Sequence, residues 1–158
     1  MMNYQDWEES VPQEFRADVL WKMSVYRYAL FASDLGWSDV TKMKDKRTVE
    51  VADQLYRSLG SVSANIAERY SRGTGKDRAR FYEYSLGSAR ESRDWYFKGR
   101  HILGSEVFQH RIKFLTEIIR LLLTMIPQQR GRTLREEQEK YVTGIDIEKL
   151  LKNIPFAE

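Results

Sequence analysis

From Leu55 to Ile126, apolar and small side chains recur every three or four residues, and no other feature limits the fold of this chain so tightly. Leu55, Leu59, Val62, Ile66 and Tyr70 form a first run, spaced 4, 3, 4 and 4. Phe81, Ser85, Ser88, Ser92, Trp95, Gly99 and Ile102 form a second. Phe108, Ile112, Leu115, Ile119, Leu122 and Ile126 form a third, widened by Ile118, Leu121 and Leu123. Such spacing keeps one face of a helix toward a core, whereas a half-buried strand would alternate at every second residue. Gly73 and Gly75 separate the first two runs and Gly104 the last two. Glycine is poor inside a helix and tolerates left-handed backbone angles, so these positions read as breaks.

The rest of the chain extends this pattern in both directions. Residues 1–11 read as a flexible lead-in from which Tyr4 and Trp7 can dock. Ser10 as a cap, Pro12 in a first turn and Glu14 near the positive helix end predict a helix over about 12–35, stopped by Gly36. It is apolar on more than one face, which predicts deep burial or contact with another subunit. Further helices are predicted over about 46–72, 76–103 and 105–126, the last opened by Ser105 and ended by Pro127. Long helices with short connections predict an all-α fold, an antiparallel up-down four-helix bundle over residues 1–127. The remainder, 128–158, reads as a charged C-terminal tail, partly helical or disordered. In it Ile145, Leu150, Leu151 and Ile154 suffice for a short amphipathic stretch.

The serines and glycine of the second run predict a close approach to another helix. The alternative is that this line faces water and that Tyr82, Leu86, Ala89 and Tyr96 form the core face. Asn65 lies beside the apolar Ile66, and a buried amide without partners costs about 1–3 kcal/mol. If Asn65 faces the core, the serines of the third helix offer it hydroxyls; Asn65, Glu68, Ser88 and Glu91 are the residues expected at a structural polar junction between the second and third helices.

Several function classes find no support in the residues. The chain has no cysteine, hence neither disulfides nor thiolate chemistry. No basic start leads into an apolar run, and no apolar run approaches the roughly 20 residues that cross a bilayer, so a cytoplasmic protein with no membrane association is expected. The only histidines are His101 and His110, preceded at three residues by Lys98 and Val107, so the Glu-x-x-His pairs of a di-iron bundle are missing. The GTGK run at Gly73–Lys76 lacks the spacing of a phosphate loop, and no serine has a histidine at triad-like spacing. Acid pairs such as Glu8–Glu9 and Glu136–Glu137 fall in segments predicted to be solvated. A non-enzymatic protein without metal or cofactor is expected.

Charge is the remaining signal. Residues 1–41 carry 3 basic and 7 acidic side chains, whereas residues 42–113 carry 16 basic and 9 acidic. The excess gathers at the junction of the second and third helices in Arg69, Arg72, Lys76, Arg78 and Arg80, where Asp77 is the only intervening acid. Tyr70, Phe81 and Tyr82 lie among them. Cations with aromatic neighbours can grip phosphates and stack on unpaired bases. They can equally pair with acids such as Glu14 or Asp18 of a neighbouring subunit, which would make the protein an interaction scaffold with no nucleic-acid contact. A closed pocket beside Ser85, Ser88 and Trp95 would instead mark a small-ligand carrier.

Gln54, Ser58 to Ser61, the run Asn65-Ile66-Ala67-Glu68, Arg72, Lys76, Phe81, Gly87-Ser88 and Glu91 together resemble the signature of the bacterial four-helix-bundle family of 23S rRNA intervening-sequence proteins. The resemblance extends more loosely over about residues 17–127. Arg69 stands where that family usually has glycine and Ser92 where it usually has leucine; the tail lies outside the resemblance. The resemblance implies a left-handed up-down bundle that assembles as a homopentamer, similar to the accessory variability proteins of diversity-generating retroelements. Those are basic pentameric bundles that bind nucleic acid and a reverse transcriptase. It thus implies RNA or DNA, or a protein partner such as a nucleic-acid enzyme, and Arg69 adds charge at the basic turn.

Overall fold

The computed structural model describes residues 3–71, 73–130 and 144–158, and all regular structure in them is helical. In chain order these are α1 (Tyr4–Ser10), α2 (Gln13–Arg16), a 3-10 turn (Val19–Lys22), α3 (Ser24–Val40), α4 (Val49–Tyr70), α5 (Gly75–Leu103), α6 (Ser105–Arg130) and α7 (Ile147–Lys152). Among the described residues, no helix is long and apolar enough to cross a membrane. Arg72, Glu136 and Glu137 lie outside the described residues.

The N-terminal third departs most from the pattern read in the sequence. Residues 4–10 are a helix, not a lead-in. Asn3 Oδ1 accepts the Asp6 N–H at 2.9 Å while the Asp6 carboxylate accepts the Asn3 N–H, a reciprocal cap. Trp7 anchors this helix: its buried indole packs 4.9 Å from Phe31 and 6.2 Å from Trp21 and donates its N–H to Asp34. The helix expected over 12–35 is broken. The Asp18 carboxylate accepts the Leu20 N–H at 2.8 Å and turns the chain into the 3-10 segment, the local competition that short acidic side chains offer to a helix.

α3 then runs straight through Gly36, which is no stop. A Cβ there would lie 2.3 Å from Leu59 Cδ1, so this glycine marks the closest approach of α3 to α4. Pro127 likewise does not end its helix. It removes one N–H near the end of α6, which continues to Arg130. The carbonyl of Gln129 thereby reaches the start of α5, where a Cβ on Gly75 would stand 2.9 Å from it. Neither Gly73 nor Gly75 uses left-handed angles; among the described residues the one positive φ is 78° at Gly104, in the tight link between α5 and α6.

α4 touches α3 and α5, and α6 touches the same two helices, so the apolar runs close on one core. Leu55, Leu59, Val62 and Ile66 of α4 belong to the same buried cluster as Leu115, Ile118, Ile119 and Leu122 of α6. Each buried aliphatic side chain of this size contributes about 1.5–3 kcal/mol. α5 is buried on two faces because it lies between two helices. Tyr82, Leu86, Ala89 and Tyr96 are inside, and so are Ser85, Ser92 and Gly99. Both readings of the second run were therefore partly right about burial, and its small residues do face a neighbour: Met43 lies over Gly99. In the tail, α7 packs on α6 and touches α1, with Ile154 buried behind it.

Candidate nucleic-acid interface

α4 and α5 form an antiparallel hairpin. Ser85 Oγ donates to the Val62 carbonyl at 2.9 Å, and Ser92 Oγ to Ser58 Oγ at 2.9 Å. Going up α5 thus means going down α4, and the described residues Ser71, Gly73 and Thr74 lie at the tip. Thr74 caps α5: its Oγ1 accepts the Asp77 N–H at 3.1 Å and donates to the Asp77 carboxylate at 2.6 Å. The single acid of the basic stretch is thereby engaged at the helix end.

Around this tip the expected cations divide. Lys76 and Arg80 are exposed and Arg78 is half-buried. Arg80 Nε donates to Tyr84 Oη at 2.5 Å, with its guanidinium 5.4 Å from that ring. Arg72 lies outside the described residues. Arg69, expected among the surface cations, is only 9% exposed. Its guanidinium lies 4.4 Å from the Tyr82 ring centre and 5.9 Å from that of Tyr70. Three residues past Ile66 and seven past Val62, it falls on the inward stripe of α4. Burial pushes the Tyr82 phenol up to about 12, although the positive charges of Arg69 and Arg78 oppose the shift. Tyr82 Oη and Arg69 Nε find no hydrogen-bond partner, so cation–ring attraction is what holds the pair.

Three of the residues expected at the polar junction bond within their own helices. Asn65 Nδ2 donates to the Ser61 carbonyl at 2.8 Å, Ser88 Oγ to the Tyr84 carbonyl at 3.1 Å, and the Glu91 carboxylate accepts Trp95 Nε1 at 3.2 Å. These bonds stay inside one helix, and Glu68 is exposed. Among the described residues, Ser85 and Ser92, which are fully buried, make bonds that cross between α4 and α5. Ser85, Ser88 and Ser92 share one heptad line, and only the rotation of α5 against α4 decides which of them face inward.

A second polar cluster went unread in the sequence. Arg111 on α6 donates through Nε and Nη2 to both carboxylate oxygens of Asp39, at 2.7 and 3.1 Å. Tyr96 Oη donates to Asp39 Oδ2 at 2.8 Å. Arg111 also donates to the Pro155 carbonyl at 3.0 Å and, through Nη1, to His110 Nδ1 at 2.9 Å. With Nδ1 accepting, His110 carries its proton on Nε2 and donates it to the Leu150 carbonyl at 2.8 Å. Burial lowers the His110 pKa, with Arg111 and Lys113 acting the same way against the Leu150 carbonyl and Asp39. Burial also raises the Tyr96 phenol well above its ordinary value, helped by Asp39. The signal for this cluster was in the sequence: Arg111 stands four residues before Leu115 and seven before Ile118, a charge on an apolar face. Asp39 stands four after Leu35.

A cleft of about 1160 Å³ lies between α6 and the C-terminal segment, lined among others by Lys113, Ile145, Lys149 and Asn153. Ser85, Ser88 and Trp95 take no part in it. Among the described residues no three His, Asp or Glu side chains gather as metal ligands do.

Compared with known proteins, residues 22–124 match the family model described as 23S rRNA-intervening sequence protein. Of the curated proteins none matches the chain, and of the solved structures none does.

Proposed function

Since the chain belongs to the 23S rRNA-intervening sequence protein family, we propose that it is a non-enzymatic, oligomeric helical protein that binds nucleic acid, or a nucleoprotein, through the basic tip of the α4–α5 hairpin. α3, α4, α5 and α6 then form an antiparallel up-down four-helix bundle, and its copies assemble as a homopentamer, as the family resemblance implies. The observation that carries this reading is the tip itself. Lys76 and Arg80 stand exposed beside Arg78, while Asp77, the acid between them, is turned onto Thr74. Phosphate binding needs cations that water can reach. Copies of one tip around a ring would add avidity without any new contact.

The test is fluorescence anisotropy of labelled RNA and DNA titrated at about 50 and 200 mM salt, the range over which phosphate contacts lose most of their strength. Binding that weakens steeply with salt, and disappears in the Lys76→Glu/Arg80→Glu double variant, is the expected result. Absence of binding by properly assembled protein at low salt would refute the reading. A second reading, a protein-interaction scaffold with no direct nucleic-acid contact, draws on a different observation. Trp37 is exposed on α3 and packs 5.6 Å from exposed Tyr56 on α4, the kind of aromatic pair enriched at protein interfaces. Light scattering of a Trp37→Ala/Tyr56→Ala variant separates the two: loss of assembly with nucleic-acid binding never observed favours the scaffold.

A further inference from the structure

We infer that the α4–α5 tip takes single-stranded rather than duplex nucleic acid, stacking unpaired bases on Tyr70 and Tyr84. The inference rests on the nucleic-acid reading above and narrows it to one class of ligand. Its starting point is a contrast among three tyrosines of one hairpin end. Tyr82 is fully buried, whereas Tyr70 and Tyr84 are 47% and 44% exposed. A tyrosine ring left in water forgoes most of the stabilisation that burial would give it.

Both exposed rings have close neighbours, Tyr84 more than Tyr70. Phe81 meets Tyr84 edge-on, with ring centres 5.7 Å apart and an interplanar angle of 88°. Arg80 holds the Tyr84 hydroxyl from the other end. Tyr70 closes α4 beside the Arg69 guanidinium, which is itself set against buried Tyr82. A ring held as Tyr84 is loses little freedom when a ligand stacks on it.

The chemistry then selects the ligand. In a duplex each base is already stacked between its neighbours, so a protein meets phosphates and groove edges, and an upright tyrosine gains nothing from them. A single strand offers free base faces, and stacking on an aromatic side chain is tolerant of sequence. A base stacked on Tyr84 also brings its phosphate toward Arg80, whose guanidinium lies 5.4 Å from that ring, and Lys76 stands exposed one turn earlier on the same helix. A site for phosphates alone would need the cations but not the exposed rings.

The experiment compares a fluorescein-labelled 15-nucleotide oligo-U and oligo-dT with a 15-base-pair duplex of mixed sequence, by anisotropy, on the full chain. Four proteins are used: wild type, Tyr70→Ala/Tyr84→Ala, Tyr70→Phe/Tyr84→Phe and Lys76→Glu/Arg80→Glu. All four substituted positions are exposed, and circular dichroism with light scattering checks that each variant keeps its helices and assembly. The expected result is tighter binding of the single strands. The alanine variant should lose about tenfold or more of it, the scale of stacking lost per base, with an unchanged salt slope, and the phenylalanine variant should retain it. Loss in the glutamate variant should come with a shallower salt slope. Equal affinity for strand and duplex, or an alanine variant that binds like wild type while the glutamate variant does not, overturns the single-strand inference and leaves the nucleic-acid reading standing. No binding of any probe at about 50 mM salt, where phosphate contacts are strong, overturns both.

Discussion

Two arginines on neighbouring helices show what this fold does with positive charge. Arg111 is 2% exposed and meets Asp39 with two hydrogen bonds, His110 with a third and the Pro155 carbonyl with a fourth. Arg80 is exposed and meets a tyrosine hydroxyl. The first sits where desolvation of a lone charge would cost several kcal/mol, so its partners are many and come from three separate parts of the chain. The second sits in water, where a cation costs nothing to leave available for a partner. Inside, charge serves the fold; at the hairpin tip, it stays in contact with water. Arg69 lies between these cases, buried against a ring with its Nε unpartnered.

Substitutions break the comparison in order of size. Arg111→Ala strands the Asp39 carboxylate in the core and should cost about 3–5 kcal/mol, read from the urea unfolding midpoint. An Asp39→Leu/Arg111→Met double variant should lose much less, since neither charge is left buried alone. If the double variant is as unstable as the single one, packing and not charge pairing explains Arg111.

The next effect is pH-dependent. His110 Nδ1 accepts from Arg111, so a proton there would set an N–H against an N–H and weaken the hold on the C-terminal segment. Its folded pKa is lowered, by burial first. The unfolded chain therefore takes the proton more readily than the folded one. The stability from this site is complete above the ordinary imidazole value of about 6.5 and is lost as pH falls through the lowered folded value. Hydrogen-exchange protection of the amides around Leu150–Ile154 should drop between pH 7 and 5, and His110→Gln should flatten that dependence. Protection that does not change with pH would show that apolar contacts hold the segment without the imidazole.

The smallest effect on stability belongs to the tip. Lys76→Ala/Arg80→Ala should move the unfolding free energy by no more than about 0.5 kcal/mol, because neither side chain replaces a buried partner. A larger loss in urea unfolding would mean that the tip's cations hold the hairpin together and are not free for a ligand.

The long helices and the breaks between α4, α5 and α6 were legible within a few residues, because their apolar runs leave little choice. The first predicted helix was not. Its apolar residues cover several faces, so period alone cannot say where one helix ends, and the Asp18 turn and the Asn3–Asp6 cap are local hydrogen-bond choices that spacing does not report. Gly36 and Pro127 misled for a shared reason. Each is a breaker by propensity, yet Gly36 lies at a tight contact with Leu59 and Pro127 near a helix end whose Ile126 is buried. At the candidate site, the cluster of cations was visible in composition, but its split into exposed Lys76 and Arg80 and buried Arg69 was not.

The amino-acid sequence alone determined that this chain is helical, where its three longest helices lie, and that its positive charge gathers at one turn. Those properties follow from residues close together along the chain, whose positions around a helix are set by 3.6 residues per turn. Tertiary structure alone decided which serines bridge α4 and α5, that Arg69 turns inward, and that Asp39, Arg111, His110 and Pro155 form one buried cluster. These depend on how one helix is rotated against another and on groups far apart in the chain. No spacing within a single helix encodes that rotation.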